Sequence, residues 1–196
     1  MQLRHGYTAL VTLMVATASL SSSYAHTGTL QTNSLGYGLS HPFTGIDHLL
    51  AMLAVGVWAA QLGGQALWLV PLTFVTVMSI SGVASMGAHA LPLIEPGIVM
   101  SVLLLGILIM AMVRLPLAVG AGLVGVFAVF HGAAHGVEVP VAASGAAYAA
   151  GFVAATAFLH ICGLLVGGLL AHVGRLELTR YVGGAVMLGG AYLALA

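Results

Sequence analysis

Long apolar stretches with almost no charge dominate this sequence and constrain its fold more than any other feature. Short turns separate them, and they run over residues 43–60, 67–88, 97–113, 117–136, 143–170 and 178–196. Only 4% of the residues are charged, against about 25% in an ordinary soluble domain. Because a helix needs about 20 apolar residues to cross the hydrocarbon core, each stretch is predicted to span a membrane. We therefore predict an all-α polytopic membrane protein with six transmembrane helices.

The composition also excludes several classes of function. A soluble enzyme with so few charges would expose large apolar patches, and a nucleic-acid-binding protein needs a basic surface that four Lys and Arg residues cannot form. The single cysteine, Cys162, excludes an intrachain disulfide and a cysteine-based metal cluster. The sequence contains no GxxxxGK[ST] motif, so we expect no ATP hydrolysis at a Walker site.

The N-terminal segment is typical of a secretory signal peptide. Arg4 precedes an apolar region at 9–20, and the small residues Ser23 and Ala25 suit a cleavage site. We predict that 1–25 is a cleaved signal peptide and that 26–196 forms one six-helix domain; an uncleaved first transmembrane helix is the alternative. Cleavage would leave His26 at the N-terminus, where it would either chelate a divalent cation with its amine and imidazole or simply be exposed.

The arginines predict the orientation of the chain in the membrane. If the mature N-terminus is outside, Arg114, Arg175 and Arg180 all lie at inner turns, whereas Glu95 and Glu138 lie at outer turns. Arginine is enriched at the cytoplasmic side of membrane proteins. This bias agrees with the signal peptide, and an even number of spans then places both termini outside.

Histidine is the most frequent ionisable residue, with nine copies, and each is costly in a chain that lies in lipid. The first cluster is the motif HPFTGIDH, which contains His41, Asp47 and His48. Because proline suits the first position of a helix, we expect the first transmembrane helix to begin near Pro42. Asp47 and His48 are then predicted to lie just below the outer surface.

The second cluster is the motif FHGAAHGVE at the end of the fourth apolar stretch, which contains His131, His135 and Glu138. At about 100° per residue these three side chains fall within about 60° of one another on one helix face. That face ends at the outer surface, because the helix starts near Arg114 inside. Both clusters are therefore predicted at the same depth.

If these two helices touch, six side chains surround one site: His41, Asp47, His48, His131, His135 and Glu138. Imidazole and carboxylate ligands suit Ni²⁺, Co²⁺, Zn²⁺ or Cu²⁺ and suit Ca²⁺ or Mg²⁺ poorly. The negative C-terminal end of the fourth helix would also favour a cation there. The alternative is that the side chains form hydrogen bonds between helices. We predict a metal site.

Three further ligand-type residues extend this pattern. His89 and Glu95 flank an outer turn and would form an entry collar or a solvated loop. His160 lies towards the inner half of the fifth stretch, where it would be a second binding position on the route of an ion or an interhelical hydrogen-bonding group.

The glycine pairs at four-residue spacing, Gly132/Gly136 and Gly163/Gly167, predict close helix packing.

The stretch HPFTGIDHLLAMLAVGVWA, together with FHGAAHGVE, resembles the HupE/UreJ family of bacterial nickel and cobalt transporters, which accompany hydrogenase or urease systems. The resemblance extends to the signal sequence followed by HTG and to the helix count. It implies an inner-membrane permease that imports Ni²⁺ or Co²⁺ from periplasm to cytoplasm, and the orientation predicted above places both termini in the periplasm. It implies the same six residues as metal ligands, the lipid bilayer and a divalent cation as partners, and no resident cofactor.

Two other functions fit the residues alone. One is an intramembrane zinc-dependent hydrolase, in which a carboxylate acts as general base. The other is a metal sensor that binds the ion without transporting it. The energy source also stays open, because either the membrane potential or proton coupling through histidine would drive uptake.

Overall fold

The computed structural model describes residues 33–86, 93–139 and 144–195, and every regular element in these ranges is helical. Short 3₁₀ turns at His41–Phe43 and Leu176–Leu178 precede the second and the last helix. The helices are α1 Ser34–Ser40, α2 Ile46–Leu62, α3 Ala66–Ser85, α4 Ile94–Met110, α5 Leu117–Val137, α6 Gly145–His172 and α7 Thr179–Leu195. The predicted all-α class is confirmed.

Helices α2 to α7 follow the six predicted stretches in order. Three of them, α3, α5 and α6, are long and apolar enough to cross a membrane, and the bent pair formed by α1 with its 3₁₀ turn and α2 makes a fourth if it is counted as one span. Helix α4 is apolar but shorter, at 17 residues. The count of six spans stays a prediction, and the predicted signal peptide, His26 and His89 lie outside the described residues.

The expected start of the first transmembrane helix at Pro42 is wrong. Pro42 lies in the 3₁₀ turn, and Gly45 then adopts an extended conformation, so that α2 begins only at Ile46. The chain bends by 78° at this break. Thr44 closes the turn, because both its backbone N–H and its hydroxyl donate to the carbonyl of His41. His41 therefore lies on a turn in front of α2 and not on the helix itself.

Helix α2 is the centre of the bundle. It packs against α3, α4, α6 and α7, and its apolar side chains are buried around its whole circumference rather than along one stripe. Such a pattern is typical of a helix that is enclosed by others. The fully buried examples include Met52, Val55 and Trp58. The ligand-type residues at the start of α2 are consequently held in the middle of one end of the protein.

The glycine pair on α5 brings this helix close to α3. A Cβ atom at Gly132 would overlap the backbone carbonyl of Met78, and one at Gly136 would overlap the carbonyl of Gly82. Gly163 on α6 has the same relationship to Leu53 on α2. The predicted role of these glycines in helix packing is confirmed, and the close approach fixes the position of His131 and His135, each of which directly precedes one of the two glycines.

Candidate metal centre

The two motifs meet at one end of the bundle, where α2 begins and α5 ends. His41 from the 3₁₀ turn contacts Glu138, the residue that follows α5, with 2.9 Å between His41 Nε2 and Glu138 Oε2. His135 Nδ1 lies 3.4 Å from the same carboxylate oxygen. One ligand atom from each of these three residues falls within 4.8 Å of the others. We call His41, His135 and Glu138 the mouth cluster.

A second group adjoins the first and consists of the buried His48 and His131 with the half-buried Asp47. We call it the buried cluster after its two histidines. Asp47 Oδ1 lies 2.7 Å from His48 Nδ1 and also accepts a hydrogen bond from the His48 backbone N–H. The His48 ring contacts both histidines of α5, with centroid distances of 4.8 Å to His131 and 4.2 Å to His135. The structure thus brings all six predicted side chains into one continuous group.

Hydrogen bonds assign the tautomers in the buried cluster. The Asp47 carboxylate can only accept, so His48 Nδ1 carries the hydrogen and Nε2 holds a free lone pair. The Ser101 hydroxyl donates to the carbonyl of Ile98 at 2.6 Å and therefore accepts from His131 Nε2 at 2.9 Å. In neutral His131 the free lone pair is then on Nδ1.

These free nitrogens have no hydrogen-bond partner within the ranges that the structure describes, and they are buried. This applies to His48 Nε2, His131 Nδ1 and His135 Nε2. A buried polar atom without a partner costs about 1–3 kcal/mol. Three such atoms on adjacent rings are unexpected in a group that serves only to join helices, but they are what a divalent cation requires from its ligands.

Aromatic rings wall the group off from its surroundings. Phe152 of α6 packs on His135 with 3.9 Å between ring centroids, and Phe74 of α3 packs on His131 at 5.4 Å. Tyr148 lies 5.8 Å from His41. Such apolar rings exclude water from the sides of the group.

The electrostatics of the mouth favour a cation. The imidazoles of His135 and His41 beside Glu138 hold the pKa of this carboxyl well below its usual range, so Glu138 is an anion at neutral pH. Its side chain is 49% exposed and is available to an ion from solution. The C-terminal end of α5 adds its negative dipole at the same place.

The less central predicted residues lie elsewhere. Glu95, near the start of α4, is exposed and faces Glu138 across a cavity of about 190 Å³, outside the mouth cluster. His160 on α6 is buried against Phe74, with 5.2 Å between ring centroids, and is separate from the two clusters. His89 and His26 fall outside the described residues.

Ser101 was missed by reasoning from sequence. It lies among apolar residues on α4, a helix that carries none of the motif residues, and nothing in its neighbourhood marks it as a partner of His131. A lone hydroxyl in an apolar helix is the one signal that would have singled it out, because such a group needs a hydrogen-bond partner. Phe74 and Phe152 were also missed, because they lie on helices that carry neither motif.

Comparisons with known proteins show the family to which the chain belongs. Residues 12–193 match the family described as HupE / UreJ protein. The chain is 43% identical to Protein HupE from Rhizobium leguminosarum bv. viciae over 187 residues, which cover 95% of this chain and 97% of that relative. No solved structure matches. Neither comparison supports the zinc hydrolase that the residues alone left open.

Proposed function

Because the chain belongs to the HupE/UreJ family, we propose that it is a permease that imports Ni²⁺, or Co²⁺, across the bacterial inner membrane from periplasm to cytoplasm. The observation that carries the proposal is the set of three buried, unpartnered imidazole nitrogens on His48, His131 and His135. Nitrogen with carboxylate oxygen is the donor set that these borderline ions prefer.

The exposed fractions of the ligand side chains suggest a route by which an ion would enter the protein. Side-chain exposure is 49% at Glu138, between 16% and 19% at His41 and Asp47, and 10% or less at His48, His135 and His131. An ion attracted to the mouth cluster would lose water stepwise as it passes to the buried cluster. Transport requires that each site release the ion, and a neighbouring ligand at each step would allow this exchange.

The positions of the arginines support an orientation with the two clusters on the periplasmic side. Arg180 donates to the carbonyl of Met110 at the end of α4, and Arg114 lines a cavity with Leu62 at the end of α2. Both therefore lie at the end of the bundle opposite the two clusters, which puts the clusters at the periplasmic side if arginine is cytoplasmic. A divalent ion that enters along an inside-negative potential gains about 4–5 kcal/mol per 100 mV, which is a sufficient driving force without ATP.

The family resemblance also suggests where the imported metal is used. Hydrogenases and ureases need nickel, and the resemblance in the two motifs links the family to such systems, so we propose that this permease supplies metal for one of them. Imidazole and carboxylate accept both Ni²⁺ and Co²⁺, and the general order of affinity favours Ni²⁺.

Flux into proteoliposomes tests the proposal directly. The purified full chain is reconstituted, an inside-negative potassium potential is imposed, and a metal-sensitive dye inside reports Ni²⁺ entry. We expect uptake by the native protein and loss of uptake in the double variant His48→Ala, His131→Ala. His172→Ala, an exposed histidine on α6, is the matched control and should transport normally.

Two results would contradict the proposal. Undiminished uptake by the double variant would show that the clusters are not on the path. Tight Ni²⁺ binding by the native protein with no uptake at any imposed potential would instead indicate a sensor.

A further inference from the structure

His160 is a buried imidazole that neither cluster uses. It is 1% exposed, and neither of its ring nitrogens has a hydrogen-bond partner in the described part of the chain. The interhelical hydrogen bond that would explain a structural histidine is therefore missing there. Because an unpartnered buried polar group costs stability, an apolar residue would serve packing better at this position.

The surroundings of His160 connect it to the buried cluster. The Phe74 ring contacts both His131 and His160, at centroid distances of 5.4 Å and 5.2 Å. His131 is the least exposed of the six clustered residues. His160 thus shares an aromatic neighbour with the most buried imidazole of the cluster.

Two further polar or polarisable atoms lie near Phe74 and His160, one helical turn closer to the mouth cluster. Thr156 on α6 and Met78 on α3 face each other, with 4.0 Å between Thr156 Oγ1 and Met78 Sδ. Four-residue spacing puts Thr156 on the same face of α6 as His160, and Met78 on the same face of α3 as Phe74. The interface between α3 and α6 therefore carries a hydroxyl, a thioether and an imidazole in an otherwise apolar setting.

We propose that His160 is a second, transient binding site for the divalent cation, reached from His131 past the Phe74 ring. The proposal rests on the proposed transport function. It assigns His160 a step after the buried cluster: the ion leaves His131, takes the free imidazole nitrogen of His160 as its next ligand, and continues towards the cytoplasmic end.

The test compares His160→Leu with His172→Leu on the same helix. Three quantities are measured for each full-length variant: Ni²⁺ uptake into proteoliposomes, Ni²⁺ affinity in detergent, and the midpoint of thermal unfolding. We expect His160→Leu to lower uptake by about tenfold, a barrier increase of about 1.4 kcal/mol. Its Ni²⁺ affinity should remain native because the two clusters are intact, and its unfolding midpoint should be unchanged or higher because a polar group without partners has been removed. His172→Leu should match the native protein in all three.

His160→Gln is the second variant, because it keeps a polar side chain without an imidazole. It should also lose uptake while it retains affinity. Native uptake in both His160 variants would overturn the inference and leave the transport function standing. Lower unfolding midpoints in both variants would assign His160 a structural role and would overturn the inference as well. If the native protein itself shows no uptake, the proposed function fails, and this inference fails with it.

Discussion

The Ser101 hydroxyl lies 2.9 Å from His131 Nε2 and connects a helix without any motif residue to the buried cluster. Since Ser101 donates its own hydrogen to Ile98, it accepts from His131 and leaves Nδ1 of that ring free to bind a cation. Ligand histidines in proteins are oriented by such partners. If His131 binds the ion as proposed, Ser101 is a positioning residue.

Replacing Ser101 by alanine should weaken Ni²⁺ binding by about 10–100-fold, because His131 loses the group that orients it. Isothermal titration of the detergent-solubilised protein measures the affinity. Ser101→Thr should restore it, since the hydroxyl is kept. Ser79→Ala is the control, because the Ser79 hydroxyl donates to Val75 within its own helix and should not affect binding. Equal affinities for Ser101→Ala and the native protein would contradict this role.

Asp47→Asn should also reduce the affinity for Ni²⁺ by about 10–100-fold. The carboxylate accepts from His48 Nδ1 at 2.7 Å and so keeps Nε2 available, whereas an amide is neutral and also donates. The affinity is measured by titration, with Glu177→Gln, an exposed acid beside α7, as the control. If both variants bind Ni²⁺ equally well, Asp47 does not orient His48.

Glu138→Gln should raise the Ni²⁺ concentration that gives half-maximal uptake and should make uptake less sensitive to salt. Its carboxylate is the exposed charge at the mouth, and screening weakens such attraction. Glu95→Gln is the matched control, because Glu95 faces the same cavity but lies outside the mouth cluster. We expect a smaller effect from this control. Initial rates at several salt concentrations give both quantities, and identical curves for the two variants would refute the assignment.

Gly132→Ala should lower the free energy of unfolding by about 1–3 kcal/mol, because the new methyl group would overlap the carbonyl of Met78 and push α5 away from α3. Gly122→Ala lies on the same helix, where no atom stands within 4 Å of the added Cβ. It should be neutral or stabilise the protein by about 0.5–1 kcal/mol through reduced backbone entropy. Thermal unfolding in detergent distinguishes the two. A stable Gly132→Ala protein would mean that the helices do not approach as closely as described.

The sequence by itself determined the helices and the side chains that share a helix face. Apolar stretches define α2 to α7, and the spacing of His131, His135 and Glu138 places them together whatever surrounds them, because α-helix geometry is local. The family was also evident from the two motifs, and the match over 12–193 confirms it.

Only the tertiary structure decided which groups meet between helices. Three contacts depend on how neighbouring helices are rotated and shifted against each other: the hydrogen bond from His131 to Ser101, the packing of Phe74 on both His131 and His160, and the contact of His41 with Glu138. That arrangement follows from the sum of many small packing contacts, above all the glycines that let α5 approach α3. These contacts are spread over the whole sequence, and no short stretch determines them. The residues of other helices that contact a given histidine are therefore known only from the assembled bundle.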